Sequence, residues 1–310
     1  MTTAQATSMS AQEFVELFEQ TKNWGRWGAD DQRGALNLIS NEKRARAAKL
    51  VSEGFIVSAA NPVPVLPGPN NPRPALRAVI RGGDIAGEGV DSASDLTLIA
   101  PHGFATSHMD ALCHVFWNRQ MYNGYPAAKM GTAGAELNGI EVAREGVVSR
   151  GVLLDIPRLL GKEYLGRGEA IFIDDLEAAE AKQGVRVEEG DILLVRTGRH
   201  LRERTETETP LLDGGAGLHA RAMPWLRTRG VAVLGSDGVS DVFPSGVEGN
   251  RLPVHVSTLV GMGIHLLDNL ALENLAGACA THNRWEFQFV VAPLVIEKGT
   301  GSAVNPIAIF

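Results

Sequence analysis

Three of the chain's eight histidines and one aspartate fall within thirteen residues, in the segment His102-Gly-Phe-Ala-Thr-Ser-His108-Met-Asp110-Ala-Leu-Cys-His114. Side chains of an extended segment repeat with period two, so His108 and Asp110 face one side and bring an imidazole and a carboxylate to a common point. Neutral imidazole nitrogen and carboxylate oxygen together suit Zn²⁺, Mn²⁺ or Fe²⁺, and an ion with an open position lowers the pKa of bound water to about 7. His114, four residues further on, is either another ligand or a general acid/base, since its ordinary pKa of about 6.5 suits proton transfer. Spacing alone leaves both roles open. The plainer alternative has these histidines at separate loop positions making local hydrogen bonds, with His114 packed among Val115, Phe116 and Trp117. Cys113 offers a rival chemistry, a thiol nucleophile with His114 as base. Adjacent residues of an extended segment point to opposite faces, however, so the pair is poorly placed to share a proton.

Around this segment the pattern is that of an α/β protein. Ser10 and Glu13 form a capping box ahead of Phe14, Leu17 and Phe18, which predicts a helix ending near Lys22. A second helix is expected from Asn41 to Val51, stopped by Gly54 and followed by a strand at Phe55–Val57. Six prolines between residues 61 and 76 resist helix and central strand and predict an extended surface loop. Glycine-separated apolar runs then predict strands at 95–100, 151–156, 191–196, 231–235 and 287–294, with helices at 174–183 and 220–229. No repeat, linker or composition break divides these strands. The expected organisation is an N-terminal helical arm and Pro-rich loop over 1–76 and one catalytic domain over 77–310.

Bulk properties narrow the partners. A net charge of -7 from 29 basic and 36 acidic residues disfavours nucleic acid and anionic membrane, leaving a small-molecule substrate as the expected partner. Two cysteines, Cys113 and Cys279, build no disulfide framework and fit a reducing compartment. The first eight residues lack the basic start and apolar run of a signal peptide, and no window is apolar enough to span a bilayer. A cytoplasmic location is the expectation. Gly299-Thr-Gly301 has no following helix and so is not a phosphate loop.

The histidine segment resembles the signature H-x-G-T-H-x-D-x-P-x-H of the kynurenine formamidase-like cyclase family, His108, Asp110 and His114 matching its second His, its Asp and its last His. Similar stretches are Gly151–Asp155, Gly190–Gly198, Trp225-Leu226 with Gly230–Asp237, Pro253–His255 and Pro293–Pro306, which together span most of 95–310. The resemblance implies a compact domain of the swivelling β/α type, with a barrel-like mixed sheet and flanking helices, assembled as a dimer or dimer of dimers. It also implies that His108 and Asp110 bind a divalent metal ion (Zn or Mn), about one per chain, with His114 as the proton shuttle. The reaction implied is hydrolysis of an amide, lactam or ester carbonyl of a small aromatic or cyclic substrate, as in relatives acting on aryl formamides or isatin.

Departures from the family pattern set further questions. The first His of the signature falls on Phe104 and its proline on Leu112, while Arg221 stands where some dinuclear members carry a glutamate, which favours one metal. His102 and His219 are then the candidates for a third ligand. His255 and His265 lie in apolar runs that read as core. Trp24 and Trp27 either cover a flat substrate or anchor the arm, and Trp117, Met121 and Tyr122 are candidates to line the pocket. Glu286 is either a buried acid near the metal or half of a surface pair with Arg284. Two other functions fit the same residues: a lyase or cyclase using the same metal, and a metal-poor binding protein that kept the fold, which Phe104 and Arg221 favour.

Overall fold

Long apolar runs at 147–155, 192–196 and 233–236 form the buried centre of a mixed nine-stranded sheet that curls into a half-barrel. This computed structural model describes residues 8–206 and 209–310. Residues 1–7, where the absence of a signal peptide was read, lie outside the described residues. The strands are β1 (Ile56–Ser58), β2 (Leu76–Arg81), β3 (Ser94–Leu98), β4 (His108–Asp110), β5 (Val147–Asp155), β6 (Ile192–Arg196), β7 (Val233–Ser236), β8 (His265–Asp268), β9 (Glu286–Val291), β10 (Gly301–Ala303) and β11 (Ile307–Ile309). The main sheet runs β1-β11-β9-β5-β6-β7-β8-β4-β10, parallel from β5 to β8 and antiparallel elsewhere. Parallel strands covered on both faces need continuous apolar sequence, which β6 and β7 have. β9 alternates, with Phe287 and Phe289 buried and Gln288 half-buried, because one of its faces meets solvent.

Helices α1 (Ala11–Thr21), α2 (Asn41–Ala48), α3 (Ile156–Leu160), α4 (Ile173–Gln183), α5 (Arg199–Thr205), α6 (Met223–Arg229), α7 (Pro253–His255) and α8 (Glu273–His282) flank the sheet, and α7 runs on into a π-helical turn at Val256–Met262. The Ser10–Glu13 capping box is formed as the sequence predicts. Phe14 and Phe18 of α1 are buried against Val256 and Val260 of the π-helical turn. Burying each ring contributes roughly 1.5–3 kcal/mol against about 1 kcal/mol from a cap, so packing rather than capping holds α1 to the body. β1 continues that attachment as an edge strand of the main sheet.

The apolar run at 95–100, expected in the body, instead forms β3 of a hairpin with β2. Every residue of both strands is exposed. Among the described residues no helix is long and apolar enough to cross a membrane.

Candidate metal centre

Strand β4 places Met109 in the core, fully buried, and turns His108 and Asp110 to its other face. Its antiparallel neighbour β8 sets Asp268 directly opposite His108. Cross-strand partners share a face, so the register of two short strands brings a second carboxylate beside the first imidazole. On the other side of β4, Gly301 lies opposite Asp110, and a Cβ there would come within 2.7 Å of the His102 ring and of the Met109 carbonyl. Only glycine lets β10 and His102 approach this closely.

α7 supplies His255. The backbone N–H groups of Val254 and His255 donate to the Asp241 carboxylate at 2.7 and 3.2 Å, and His255 Nδ1 donates to Asp241 Oδ2 at 2.6 Å. These bonds turn His255 Nε2 toward Asp268 Oδ2, at 3.4 Å, and Asp110 Oδ2, at 3.7 Å. On the opposite wall His108 Nδ1 donates to the Thr106 carbonyl at 2.8 Å and directs Nε2 at Asp110 Oδ1, 3.3 Å away. Both imidazoles thus spend Nδ1–H on a fixed acceptor and present Nε2 inward, as metal-ligating histidines do.

The loop carrying Thr106 is fastened in turn. Asn269 donates to the carbonyls of Gly103 and Thr106, while Arg199 donates to the Phe104 carbonyl at 2.6 Å and to Asn269 Oδ1 at 2.7 Å. Arg199 opens α5, whose first backbone N–H groups are capped by the buried Asp237 carboxylate.

The donor set fits a divalent cation. Asp110 Oδ2 and Asp268 Oδ1 are buried without a hydrogen-bond partner among the described residues. Leaving carboxylate oxygens so is costly unless a cation meets them. Metal–ligand distances of about 2.1 Å in a tetrahedral site put neighbouring ligand atoms about 3.4 Å apart, close to the spacings found here. Two groups of side chains can hold an ion: His102 with His108 and Asp110, and Asp110 with His255 and Asp268. Asp110 belongs to both.

Electrostatics point the same way. Burial pushes the Asp110 carboxyl up, but the imidazoles around it outweigh that and hold it well below the usual carboxylate range. His108 is pushed down by burial, yet the Asp110 carboxylate raises it to about 9. His255 is likewise pushed down by burial and driven well above its ordinary value by Asp241 and Asp268. His114 behaves oppositely, because burial outweighs the Asp110 attraction and takes it down to about 4. It lines the same cavity of about 310 Å³ as His108, Asp110, His255 and Asp268, and its ring lies flat on that of His102 at 3.7 Å.

The model of the family described as "Putative cyclase" matches residues 50–241. The chain belongs to the cyclase family. A crystal structure described as a novel cyclase is 32% identical, covering 94% of this chain and 99% of that one with a TM-score of 0.85. Isatin hydrolase A from Ralstonia solanacearum shares the fold at 22% identity, 82% and 91% coverage and a TM-score of 0.59. An isatin hydrolase bound to the product analogue thioisatinate does so at 19% identity, 87% and 99% coverage and a TM-score of 0.61. No curated protein matches in sequence.

Set in the cyclase fold, the sequence-derived residues fall into two sets. His102, His108, Asp110 and His114 come together, but His102 bonds Asp110 Oδ1 through Nδ1 and Thr300 through Nε2, each at 2.8 Å, so it orients the carboxylate. His219 is not brought to either group: its Nδ1 accepts from the Arg221 N–H at the start of a short turn, and its ring packs by Phe172. Arg221 reaches the Ser8 carbonyl and Glu13 at the surface. Phe104 lines the cavity as an apolar wall.

Trp24 anchors the N-terminal segment by donating to the Val260 carbonyl, and Trp117 packs edge-on against Phe14. Neither Trp24, Trp27, Trp117, Met121 nor Tyr122 lines the cavity. Glu286, on β9, pairs with Arg150 of β5. His265 is buried, as its apolar run predicts, with neither ring nitrogen hydrogen-bonded among the described residues. His255 departs from that expectation. Its signal was present in the sequence as a histidine just after a helix-starting proline, thirteen residues before Asp268, but nothing in one sequence ties either to Asp110.

Proposed function

We propose that this cyclase-family chain is a kynurenine formamidase-like, metal-dependent hydrolase acting on the C–N bond of a small cyclic or aryl amide. The observation that carries this reading is the convergence of His108, Asp110, His255 and Asp268 on the floor of one cavity beside His114. The shared fold of the isatin hydrolases supports it by analogy. His108 Nε2, His255 Nε2 and the carboxylates of Asp110 and Asp268 would hold one ion, zinc or manganese. When bound, a divalent ion supplies Lewis acidity, polarising a carbonyl and acidifying water. Thr106 and Asp241 keep the two imidazoles aimed, and His102 keeps Asp110 aimed. His114, unprotonated at neutral pH, takes a proton from the attacking water at a ring nitrogen and returns it to the leaving nitrogen. Cys113 stays out of the reaction: burial pushes its thiol up to about 12, and Sγ faces the Gly299 carbonyl.

Elemental analysis of purified protein, with mass analysis of an isatin or formanilide reaction, tests the reading. About one metal per chain is expected, with products whose summed mass exceeds the substrate's by one water. Turnover without added mass would establish the lyase alternative, and absence of both metal and turnover the binding-protein alternative.

We propose further that the chain is a cytoplasmic homodimer joined through the β2–β3 hairpin. The register pairs Leu76 with Leu98 and Ala78 with Leu96 on one apolar face, and Arg77 with Thr97 and Val79 with Asp95 on the other, and it shifts at the exposed Ile80 before Arg81 meets Ser94. Leu76, Ile80, Leu96 and Leu98 are 52%, 67%, 44% and 58% exposed. A lone hairpin with an apolar face in water is marginal, and a second copy of that face covers it. Light scattering should give a dimer for the parent and a monomer for Ile80→Asp with Leu96→Asp; a monomeric parent overturns the assembly.

A further inference from the structure

The cavity has three chemically distinct parts. Its floor holds the candidate ligands and His114, and its walls are apolar, built from Phe104, Leu212, Val239, Phe243 and Leu252. The third part is a single cation, Arg251. Arg150, Arg196, Arg199 and Arg229 each pair with a carboxylate within 2.8 Å, whereas the buried Arg202 has no such pair among the described residues. Arg251, exposed at the cavity rim, makes no ion pair or side-chain hydrogen bond among the described residues.

Its backbone position is fixed. Asn250 Oδ1 accepts from the Leu252 N–H at 3.0 Å, the Asn250 carbonyl accepts from Ser245 Oγ at 2.6 Å, and the Leu252 carbonyl accepts from the Val256 N–H at 3.0 Å as α7 begins. The Arg251 backbone therefore stands four residues before His255 on the same braced turn.

We infer that Arg251 selects substrates bearing a carboxylate, which it grips while the apolar walls hold the ring and the scissile carbonyl meets the floor. This rests on the hydrolase reading of the same site. With a divalent ion present, the charges of Asp110 and Asp268 are balanced, which leaves Arg251 as the charged side chain of the cavity lining without a counter-charge there. Guanidinium is suited to the task because its planar fork donates two parallel hydrogen bonds to one carboxylate. The volume of about 310 Å³ accommodates one substituted ring rather than a peptide.

The test compares para-carboxyformanilide with formanilide, which differ by the carboxylate alone. The metal-loaded parent should prefer the acid in kcat/KM by on the order of 10- to 100-fold, the scale of a charge-assisted hydrogen bond. Arg251→Gln should collapse that ratio toward one, mainly through KM for the acid. Equal kcat/KM in the parent, or a ratio that survives Arg251→Gln, overturns the proposal. Calorimetry with benzoate and benzamide needs no turnover and separates the two readings. Benzoate binding that is tighter than benzamide and lost in Arg251→Gln supports the anion site even if neither formanilide is cleaved, in which case the hydrolase reading alone fails. Equal binding of both, or benzoate binding unchanged by the substitution, removes the anion site.

Discussion

His114→Ala keeps its metal and loses at least about 10²-fold in turnover, the scale of a missing general acid/base. The metal stays because His114 belongs to neither group of side chains able to hold an ion. Turnover falls because His114 is the cavity-lining imidazole whose proton affinity burial lowers, to about 4, while its neighbours His108 and His255 are raised. A folded-state pKa of about 4 against an ordinary value of about 6.5 leaves the ring neutral from pH 5 upward and able to accept a proton. The sign for stability follows: the buried neutral ring is compatible with folding above about pH 6.5 and costs stability as pH falls toward 4, where the unfolded chain binds the proton first. Steady-state kinetics with elemental analysis of the same preparation checks the substitution. Unchanged turnover with metal retained would remove His114 from the reaction, and loss of metal would make it a ligand.

Asp110→Asn has the largest expected effect, loss of metal and of all turnover above background. Asp110 is the residue common to both candidate groups, and its two oxygens face different imidazoles, Oδ1 toward His102 and His108 and Oδ2 toward His255. An amide of the same shape removes the charge that balances a cation and offers a nitrogen where an oxygen donor stood. The same change takes away the carboxylate that raises His108, so the imidazole titrates lower in chelator-treated variant than in chelator-treated parent. Metal content after dialysis and a histidine NMR titration read the two effects separately. Full metal occupancy in Asp110→Asn would show that the ion sits elsewhere.

Much of this was legible in the linear pattern. Capping chemistry placed α1, continuous apolar runs placed β5, β6 and β7, and the period-two argument put His108 and Asp110 on one face, as β4 has them. Local rules work there because the interactions span at most a few residues. They failed for β3, whose apolar run resembles a buried strand, because an alternation does not say what will cover its face. Short strands such as β8 and β10 were missed since four residues or fewer carry little periodicity and exist through their neighbours.

By itself, then, the sequence determined the α/β class, the family and the half of the centre that lies within one short stretch, His102 to His114. Only tertiary structure decided the other half. Asp268 reaches His108 through strand register, His255 reaches both carboxylates because Asp241 caps α7 and holds its imidazole, and His219 instead caps the short turn at Ala220–Ala222, away from both groups. His255 and Asp268 lie more than a hundred residues from His108 and Asp110 in the chain, and pairing across such distances is set by packing, on which the identity of a single residue is silent.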